Sequence, residues 1–388
     1  MYMKRINHNS SAALMIISIV FTLLLVFSFG CAKKEEGDIK VGVILPLTGD
    51  VAEPGNKALN GIKLAVKEFN GSNQRRQIKL IVEDSKANPI DGVNALTKLI
   101  SIDHVKLIVG DLVSGVTLAI APIAEKNHVV ILAPGSSNPK VRDAGDYIFR
   151  NWSSDNFDGE VMAKYLFNTL GKKSATVIFV NNEYGEGLAD TFEKTFTEVG
   201  GRIVLKEKYE QGSTDFRTVI AKLKGSKSDS IFLPGQPKEN GVLIRQMKEN
   251  RITPKNTTIT ANLSVESSDF YASAGENGEG IIFSTPAFDT NSNATNIRKF
   301  VTAYEHEFKS KPDVVAGHGY DAAMIMLEAL RRANYDIARV KDELYKIKGF
   351  PGVTGDTTFD ERGDVIKPVM IKRLNKDGTG TIFETYKP

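Results

Sequence analysis

From residue 39 to the C-terminus, short apolar runs alternate with longer segments whose apolar residues recur every three or four positions. Short apolar runs are typical of strands buried on both faces of a parallel sheet, whereas the longer spacing is typical of amphipathic helices. A chain that alternates strands with helices builds parallel sheets covered by helices. The pattern therefore predicts an α/β fold.

The predicted elements form two similar series followed by a mainly helical section. Strands are predicted over residues 39–45, 78–83, 105–109, 129–132, 175–180, 202–209, 230–233, 257–260 and 280–283. Helices are predicted over residues 56–69, 90–100, 116–125, 157–170, 188–199, 216–223, 242–250, 296–309, 314–333 and 340–347. Further β-type segments are expected over residues 357–359, 369–373 and 381–385. The two series echo one another as two α/β halves.

Short connections near residues 150–155, 284–288 and 365–368 separate the two halves. If the chain crosses between two lobes at these places, both lobes are discontinuous in sequence. The expected lobes are then residues 39–154 plus 285–365 and residues 155–284 plus 366–388. Multiple short crossings act as a hinge that permits closure and limits other motion.

The first thirty residues have the pattern of an export signal. Lys4 and Arg5 precede an apolar stretch over residues 12–29, and Cys31, the single cysteine, follows directly before a polar run. This order predicts a signal peptide over residues 1–30 and a lipidated tether over residues 31–38, with Cys31 carrying the lipid. The protein is therefore expected outside the cytoplasm, anchored to a membrane surface that faces the periplasm or the cell exterior.

Two alternatives remain for this segment. The apolar stretch is close to the minimum for a transmembrane helix, so a retained anchor is one of them. The other is ordinary signal cleavage that leaves Cys31 as a free thiol. Ser28, Phe29 and Gly30, which precede the cysteine, depart from the usual lipidation motif at the first two positions.

Composition excludes several classes of protein. The chain has 50 basic and 47 acidic side chains, and removal of residues 1–30 leaves a net charge of +1, which gives no support to nucleic-acid binding. One cysteine excludes a disulfide framework, and the five histidines lack the paired spacing of a metal site. Nucleophile-elbow and phosphate-loop motifs are absent from the sequence, so no enzyme class and no cofactor is indicated.

Two polar loops follow predicted strands of the first half, at residues 110–115 and 133–139. In doubly wound sheets, ligands bind beyond the carboxyl ends of the strands, where such loops lie. Serines and glycines at helix N-termini leave backbone N–H groups free for an anion. Ser114 and Ser137 either serve such a site or cap their helices.

Several motifs, in order, resemble one family. They are IKVGVILPLTG at 39–49, NGIKLA at 60–65, EDS at 83–85, APGSS at 133–137, FR at 149–150 with Asp155, YGEG at 184–187 and GYDAA at 319–323. With them the chain resembles the branched-chain amino-acid-binding protein family, the solute-binding proteins that serve ABC importers. The resemblance implies the type I periplasmic binding protein fold, two Rossmann-like parallel-sheet lobes joined by a three-segment hinge. It also implies a monomer that works with a permease and an ATPase.

The resemblance also implies ligand roles. Ser114, Gly135 and Ser137 match positions that receive a ligand carboxylate, and the neighbouring Ser136 is included with them. Asp155 matches the acceptor of the ligand's ammonium group. The further candidates are Tyr184 as an aromatic wall, Gln236, Asn262 and, at the first crossing, Trp152.

Two positions depart from the family pattern. Gln236 stands where an aromatic residue is usual, and Asn262 stands where a second acidic partner of the ammonium is usual. An amino acid is the expected ligand, while another small polar or amide-bearing solute remains open. Arg150 is expected to anchor the first crossing, and Tyr320 is expected in the core.

We therefore expect the extracytoplasmic solute-binding component of an ABC importer. A ligand-sensing lipoprotein of the same fold is the alternative, and an extracytoplasmic enzyme is less favoured.

Overall fold

The computed structural model describes residues 37–72 and 74–386, and the expected signal peptide and the lipidated Cys31 lie outside these residues. The first sheet contains β1 (Ile39–Leu45), β2 (Ile78–Asp84), β3 (Leu107–Gly110), β4 (Val130–Ala133) and β5 (Ile148–Arg150). Its strands are all parallel, in the spatial order β2-β1-β3-β4-β5.

The second sheet is built from later strands. It contains β6 (Ser174–Val180), β7 (Arg202–Tyr209), β8 (Ser230–Leu233), β9 (Thr258–Ala261) and β10 (Ile282–Pro286). After a small hairpin of β11 (Phe350–Gly352) and β12 (Gly355–Thr357), β13 (Val369–Leu374) and β14 (Gly380–Tyr386) complete it. The spatial order is β14-β13-β10-β9-β8-β6-β7.

Helices cover both faces of each sheet. They are α1 (Ala52–Gly71), α2 (Pro89–Ser101), α3 (Ser114–Lys126), α4 (Asp155–Lys164), α5 (Glu183–Glu198), α6 (Arg217–Ser226), α7 (Pro237–Glu249), α8 (Ser268–Ala274), α9 (Thr295–Phe308), α10 (Val314–Arg332) and α11 (Val340–Tyr345). Within the described residues, none of the helices combines the length and the apolar character that crossing a membrane requires.

Alternating side chains of the buried strands explain why each sheet has two cores. In β4, Val130 and Leu132 pack with α1 and α10, whereas Ile131 packs on the opposite face with α2 and α3. In β8, Ile231 and Leu233 face α6 to α8, whereas Phe232 faces α4 and α5. The period of two along a strand therefore places each apolar run between two helix layers.

Two of the family-like motifs are explained by a close helix contact. A Cβ atom on Gly61 of α1 would lie 2.1 Å from the carbonyl oxygen of Ala316, and one on Gly319 of α10 would lie 2.4 Å from that of Ala58. These distances are too short for any side chain, so both helices need glycine where they cross. This contact fixes α10 against the first sheet.

The chain passes between the sheets at three places: after β5, after β10 and before β13. At the first of these, the buried Arg150 guanidinium donates to Asp364 at 2.7 Å and to the carbonyl oxygens of Ser137 and Asn138 at 3.0 Å. Ser153 accepts from the backbone N–H of Lys367 at 2.6 Å. Arg150 thus anchors the first crossing to the third, as the sequence predicted.

One edge of the second sheet is antiparallel, an arrangement that the sequence pattern did not specify. β13 pairs with β10 in the antiparallel sense, and β14 pairs with β13 in the same way. This addition depends on a long-range return of the chain, which the local apolar pattern does not specify. The β-type segment predicted over residues 357–359 is replaced by the β11–β12 hairpin.

Several helices begin earlier than their apolar periodicity predicts. Helix α5 starts at Glu183 because Asn182 caps it, its side chain accepting from the backbone N–H of Gly185 at 2.9 Å. Helix α4 starts at Asp155 behind Ser154, whose hydroxyl accepts from the backbone N–H of Asn156. The polar first turns that the prediction omitted carry residues of the candidate site.

Candidate functional site

A cavity of about 640 Å³ lies at the carboxyl ends of the strands, with walls from both sheets. Eight of the nine ligand-binding candidates line it: Ser114, Gly135, Ser137, Trp152, Asp155, Tyr184, Gln236 and Asn262. A volume of this size suits a small molecule. Eight of the predicted residues are therefore brought together around one cavity.

The serine side of the cavity is formed by the first residue of α3 and the loop after β4. The buried Ser114 hydroxyl accepts from the backbone N–H of Asn138 at 3.1 Å. Neither serine caps a helix: α3 has no side-chain cap among the described residues, and Asn138 caps the short helix after Ser137. The N-terminal end of α3 carries a partial positive charge, so this side suits an anionic group.

Ser136 was expected in the site, but it does not line the cavity. Its fully buried hydroxyl donates to the carbonyl oxygen of Asp111 at 2.9 Å and lies 2.7 Å from the hydroxyl of Thr117. Consecutive loop residues point in different directions, so Ser136 turns inward between two residues that line the cavity. It holds the loop against α3.

Gly135 is required by the path of the same loop. A Cβ atom at this position would lie 2.6 Å from the side chain of Leu112. A larger residue would therefore displace the Leu112 side chain on the serine side of the cavity.

Asp155 opens α4 at the first crossing and is 2% exposed. Its backbone N–H donates to the carbonyl oxygen of Ser137 at 2.8 Å, while its Oδ2 has no hydrogen-bond partner among the described residues. Burial raises the pKa of its carboxyl to about 8; the Ser137 hydroxyl and Arg150 offset part of this shift, and Asp158 adds to it. A buried acceptor without a partner suits a ligand cation.

Tyr184 and Asn262 act as a unit on the other side. Asn262, which follows β9, donates to the hydroxyl oxygen of Tyr184 and to the carbonyl oxygen of Gly235, the latter at 3.0 Å. Its Oδ1 accepts from the hydroxyl of Ser264 at 2.8 Å. Because burial and the charges of Asp155 and Asp158 raise the pKa of Tyr184 well above its ordinary value, the phenol stays protonated. Its hydrogen is available to an acceptor in the cavity.

Gln236 stands directly before α7, and its side chain makes no capping hydrogen bond within the described part of the chain. It lines the cavity near Gly235 and Asn262. Its amide can both donate and accept, so this wall is more polar than an aromatic residue would make it.

Trp152 combines the two roles that the sequence left open. It lines the cavity, is 8% exposed, and its ring centroid lies 4.4 Å from that of His318. Burial and Lys367 lower the pKa of His318 well below its ordinary value, so the imidazole packed behind Trp152 is neutral.

Asp158 is a cavity residue that the sequence analysis missed. It lies one turn after Asp155 on α4, and its buried Oδ1 has no hydrogen-bond partner among the described residues. Burial raises the pKa of its carboxyl to about 6, partly offset by Ser284. The spacing of three residues was the available signal, but the predicted helix began after Asp155.

Basic residues of the cavity are mostly paired. Lys57 contacts Glu53 at 2.8 Å and Asp313 at 3.0 Å, and Lys372 contacts Glu266 at 2.8 Å. No group of three potential metal-ligating side chains occurs in residues 37–72 and 74–386.

Two lobes with a cavity between them are typical of a solute-binding fold, and comparison with known proteins agrees. Residues 38–379 match the periplasmic binding protein family, and the chain belongs to that family. The predicted resemblance to branched-chain amino-acid-binding proteins is confirmed by three similar proteins.

The first is the Leu/Ile/Val-binding protein homolog 1 of Brucella abortus, 29% identical over 358 residues that cover 90% of this chain and 94% of the relative. The leucine-binding protein LivK of Thermotoga maritima is 29% identical, with a TM-score of 0.85 and coverage of 90% and 99% of the two chains. The substrate-binding protein LivJ of Streptococcus pneumoniae, solved with isoleucine, is 27% identical, with a TM-score of 0.83 and coverage of 90% and 100%. The predicted type I fold is thereby confirmed.

Proposed function

We propose that this protein is the extracytoplasmic substrate-binding component of an ABC importer and binds an amino acid in the cavity between its lobes. The observation that carries the proposal is the buried carboxyl of Asp155, with its Oδ2 unpartnered among the described residues, in the same cavity as the serine side at the N-terminus of α3. An acceptor for a cation in one cavity with a site for an anion matches a zwitterion. The names of the similar Leu/Ile/Val-binding proteins support the same ligand class.

In the proposed complex, Ser114, Gly135 and Ser137 hold the ligand's carboxylate, and Asp155 accepts from its ammonium group. Tyr184, Gln236 and Asn262 approach from the second lobe, and Trp152 packs at the hinge. The moving lobes are residues 39–154 plus 285–365 and residues 155–284 plus 366–388. Closure removes water and so strengthens each polar contact.

Transport requires that the membrane partners distinguish closed protein from open protein. A ligand shifts this equilibrium by the difference between its affinities for the two forms. Contacts from both lobes, such as those of Ser114 and Tyr184, form together only when the lobes meet, so bound ligand favours closure. The protein itself carries out no chemical reaction in this scheme.

The test is a thermal-shift screen of the full chain against the twenty L-amino acids, short amides, ureas and small carboxylates, followed by calorimetry. We expect at least one L-amino acid to bind with a one-to-one stoichiometry. Asp155→Ala should abolish that binding and leave the unfolding transition of the unliganded protein cooperative. Unchanged affinity in Asp155→Ala would refute its role, and turnover of a bound solute would refute the non-enzymatic role.

Export and lipidation are part of the proposal, with residues 1–30 removed and Cys31 modified and bound to the membrane. The mature protein should then resist maleimide. A freely reactive Cys31 would overturn the anchored form and leave the solute-binding role intact.

A further inference from the structure

Two carboxylates share one turn of α4 and face the cavity. Asp155 and Asp158 are separated by three positions, so they lie on the same helix face. Asp155 is 2% exposed, and each residue has a buried oxygen without a hydrogen-bond partner among the described residues: Oδ2 of Asp155 and Oδ1 of Asp158. Both residues line the cavity.

The cations near this pair are engaged elsewhere. Arg150 lies close enough to lower the pKa of Asp155, but its guanidinium binds Asp364 and the carbonyl oxygens of Ser137 and Asn138. Of the three lysines that line the cavity in the described residues, Lys57 and Lys372 pair with other carboxylates, as described above. The third, Lys311, is exposed.

Two carboxyls on one helix turn repel each other when both are charged, and burial adds a loss of hydration, so the fully charged pair is costly without a compensating cation. Residue 262 does not supply another acid, because Asn262 stands there. Its amide is fully used by Tyr184, Gly235 and Ser264. Among the cavity-lining carboxyls of the described residues, Asp155 and Asp158 are the two that have a buried oxygen without a hydrogen-bond partner.

We propose that Asp158 is a ligand-binding residue and that it binds, together with Asp155, the ammonium group of the solute. The inference rests on the proposed solute-binding function and adds a determinant of specificity. A primary ammonium has three N–H donors, which is enough to bond one oxygen of each carboxylate and one further acceptor. Tyr184, on the same lobe, lies close enough to both carboxyls for their charges to raise the pKa of its phenol.

This pair selects by charge. A neutral amide or a plain carboxylate leaves the acidic pair without compensation, and it is rejected even when its shape fits. An L-α-amino acid satisfies both ends of the cavity, since its carboxylate is accommodated on the serine side. The acidic pair thus replaces, on one lobe, the second carboxylate that residue 262 lacks.

The test measures binding to the full chain by calorimetry, with the tightest of the twenty L-amino acids and its analogue without the amino group as probes; for leucine, the analogue is 4-methylpentanoate. Asp158→Asn keeps the shape and removes the charge. The matched control is Glu160→Gln on the same helix, because Glu160 pairs with Lys164 at the protein surface. We expect Asp158→Asn to weaken binding of the amino acid about 10- to 100-fold, because one charge-assisted hydrogen bond is lost. Glu160→Gln should change the affinity for the amino acid less than about twofold.

The wild-type protein should bind the deaminated analogue at least about 100-fold more weakly than the amino acid, and Asp158→Asn should narrow that ratio. Thermal unfolding of the unliganded variants separates loss of binding from loss of folding, since Asp158→Asn should not lower the melting temperature. Equal amino-acid affinities in wild type and Asp158→Asn, with binding lost in Asp155→Asn, would overturn the role of Asp158 and leave the proposed function standing. Preference of the wild type for the analogue would overturn the selection by charge, and no binding of any probe would overturn both proposals.

Discussion

Binding of an amino acid should weaken strongly as the pH falls from 8 to 6. The change in pH acts on Asp155, because burial raises the pKa of its carboxyl to about 8. The groups that face this carboxyl are Asp158 on the same helix, Ser137 after β4, Arg150 of β5 and Tyr184 of α5. Only the charged carboxylate can compensate an ammonium, so protonation competes with the ligand.

The size of the fall in affinity follows from the fraction of Asp155 carboxyls that are charged at each pH. With a pKa of about 8, about half of the Asp155 carboxyls are charged at pH 8 and about 1% at pH 6. The apparent dissociation constant is the intrinsic one divided by that fraction, so affinity should fall about 50-fold between these values. Protonation of Asp158, whose pKa is raised to about 6, adds a further factor of about two at pH 6.

Calorimetry in two buffers with different ionisation enthalpies measures both the affinity and the number of protons released on binding. At pH 7 about 0.9 proton should be released for each amino acid bound, because Asp155 must lose its proton. Asp155→Asn should remove most of the proton release along with the tight binding. Flat affinity between pH 6 and pH 8, with no proton release at pH 7, would show that no ammonium displaces a proton from Asp155.

Three further changes test other parts of the account. Ser137→Ala should weaken amino-acid binding by about 1–2 kcal/mol, because it removes one hydroxyl from the carboxylate side, and unchanged calorimetric affinity would contradict that role. Arg150→Met should lower the free energy of unfolding by about 3–5 kcal/mol, because it leaves Asp364 buried without its partner. The matched Arg331→Met, at an exposed ion pair with Glu328, should cost less than about 1 kcal/mol in the same urea titration. The fluorescence of Trp152 should change when an amino acid binds, whereas a flat titration with a proven ligand would restrict this residue to packing at the hinge.

The fold was largely predictable because most of its strands are local apolar runs. β1, β7 and β8 have the bounds that the pattern predicted. β5 was missed because it is only three residues long and leads directly into the first crossing. β13 and β14 were expected as β-type segments, but their antiparallel pairing at the edge of the second sheet was not predicted, since it depends on a distant return of the chain.

The candidate site was predictable where a motif marked it and less so where packing decided it. Asp155 and Tyr184 were found through the resemblance, and both line the cavity. Ser136 was grouped with its neighbours because a sequence motif does not indicate which side chains of a loop turn inward. Asp158 was missed because the capped first turn of α4 begins before the apolar periodicity does.

The most direct test of the central claim is a crystal structure of the full chain with its tightest-binding L-amino acid. The account predicts the ammonium nitrogen within hydrogen-bond distance of Asp155, with the carboxylate at Ser114 and Ser137. Electron density for the amino acid outside the cavity, or with its carboxylate directed at Asp155, would contradict the account.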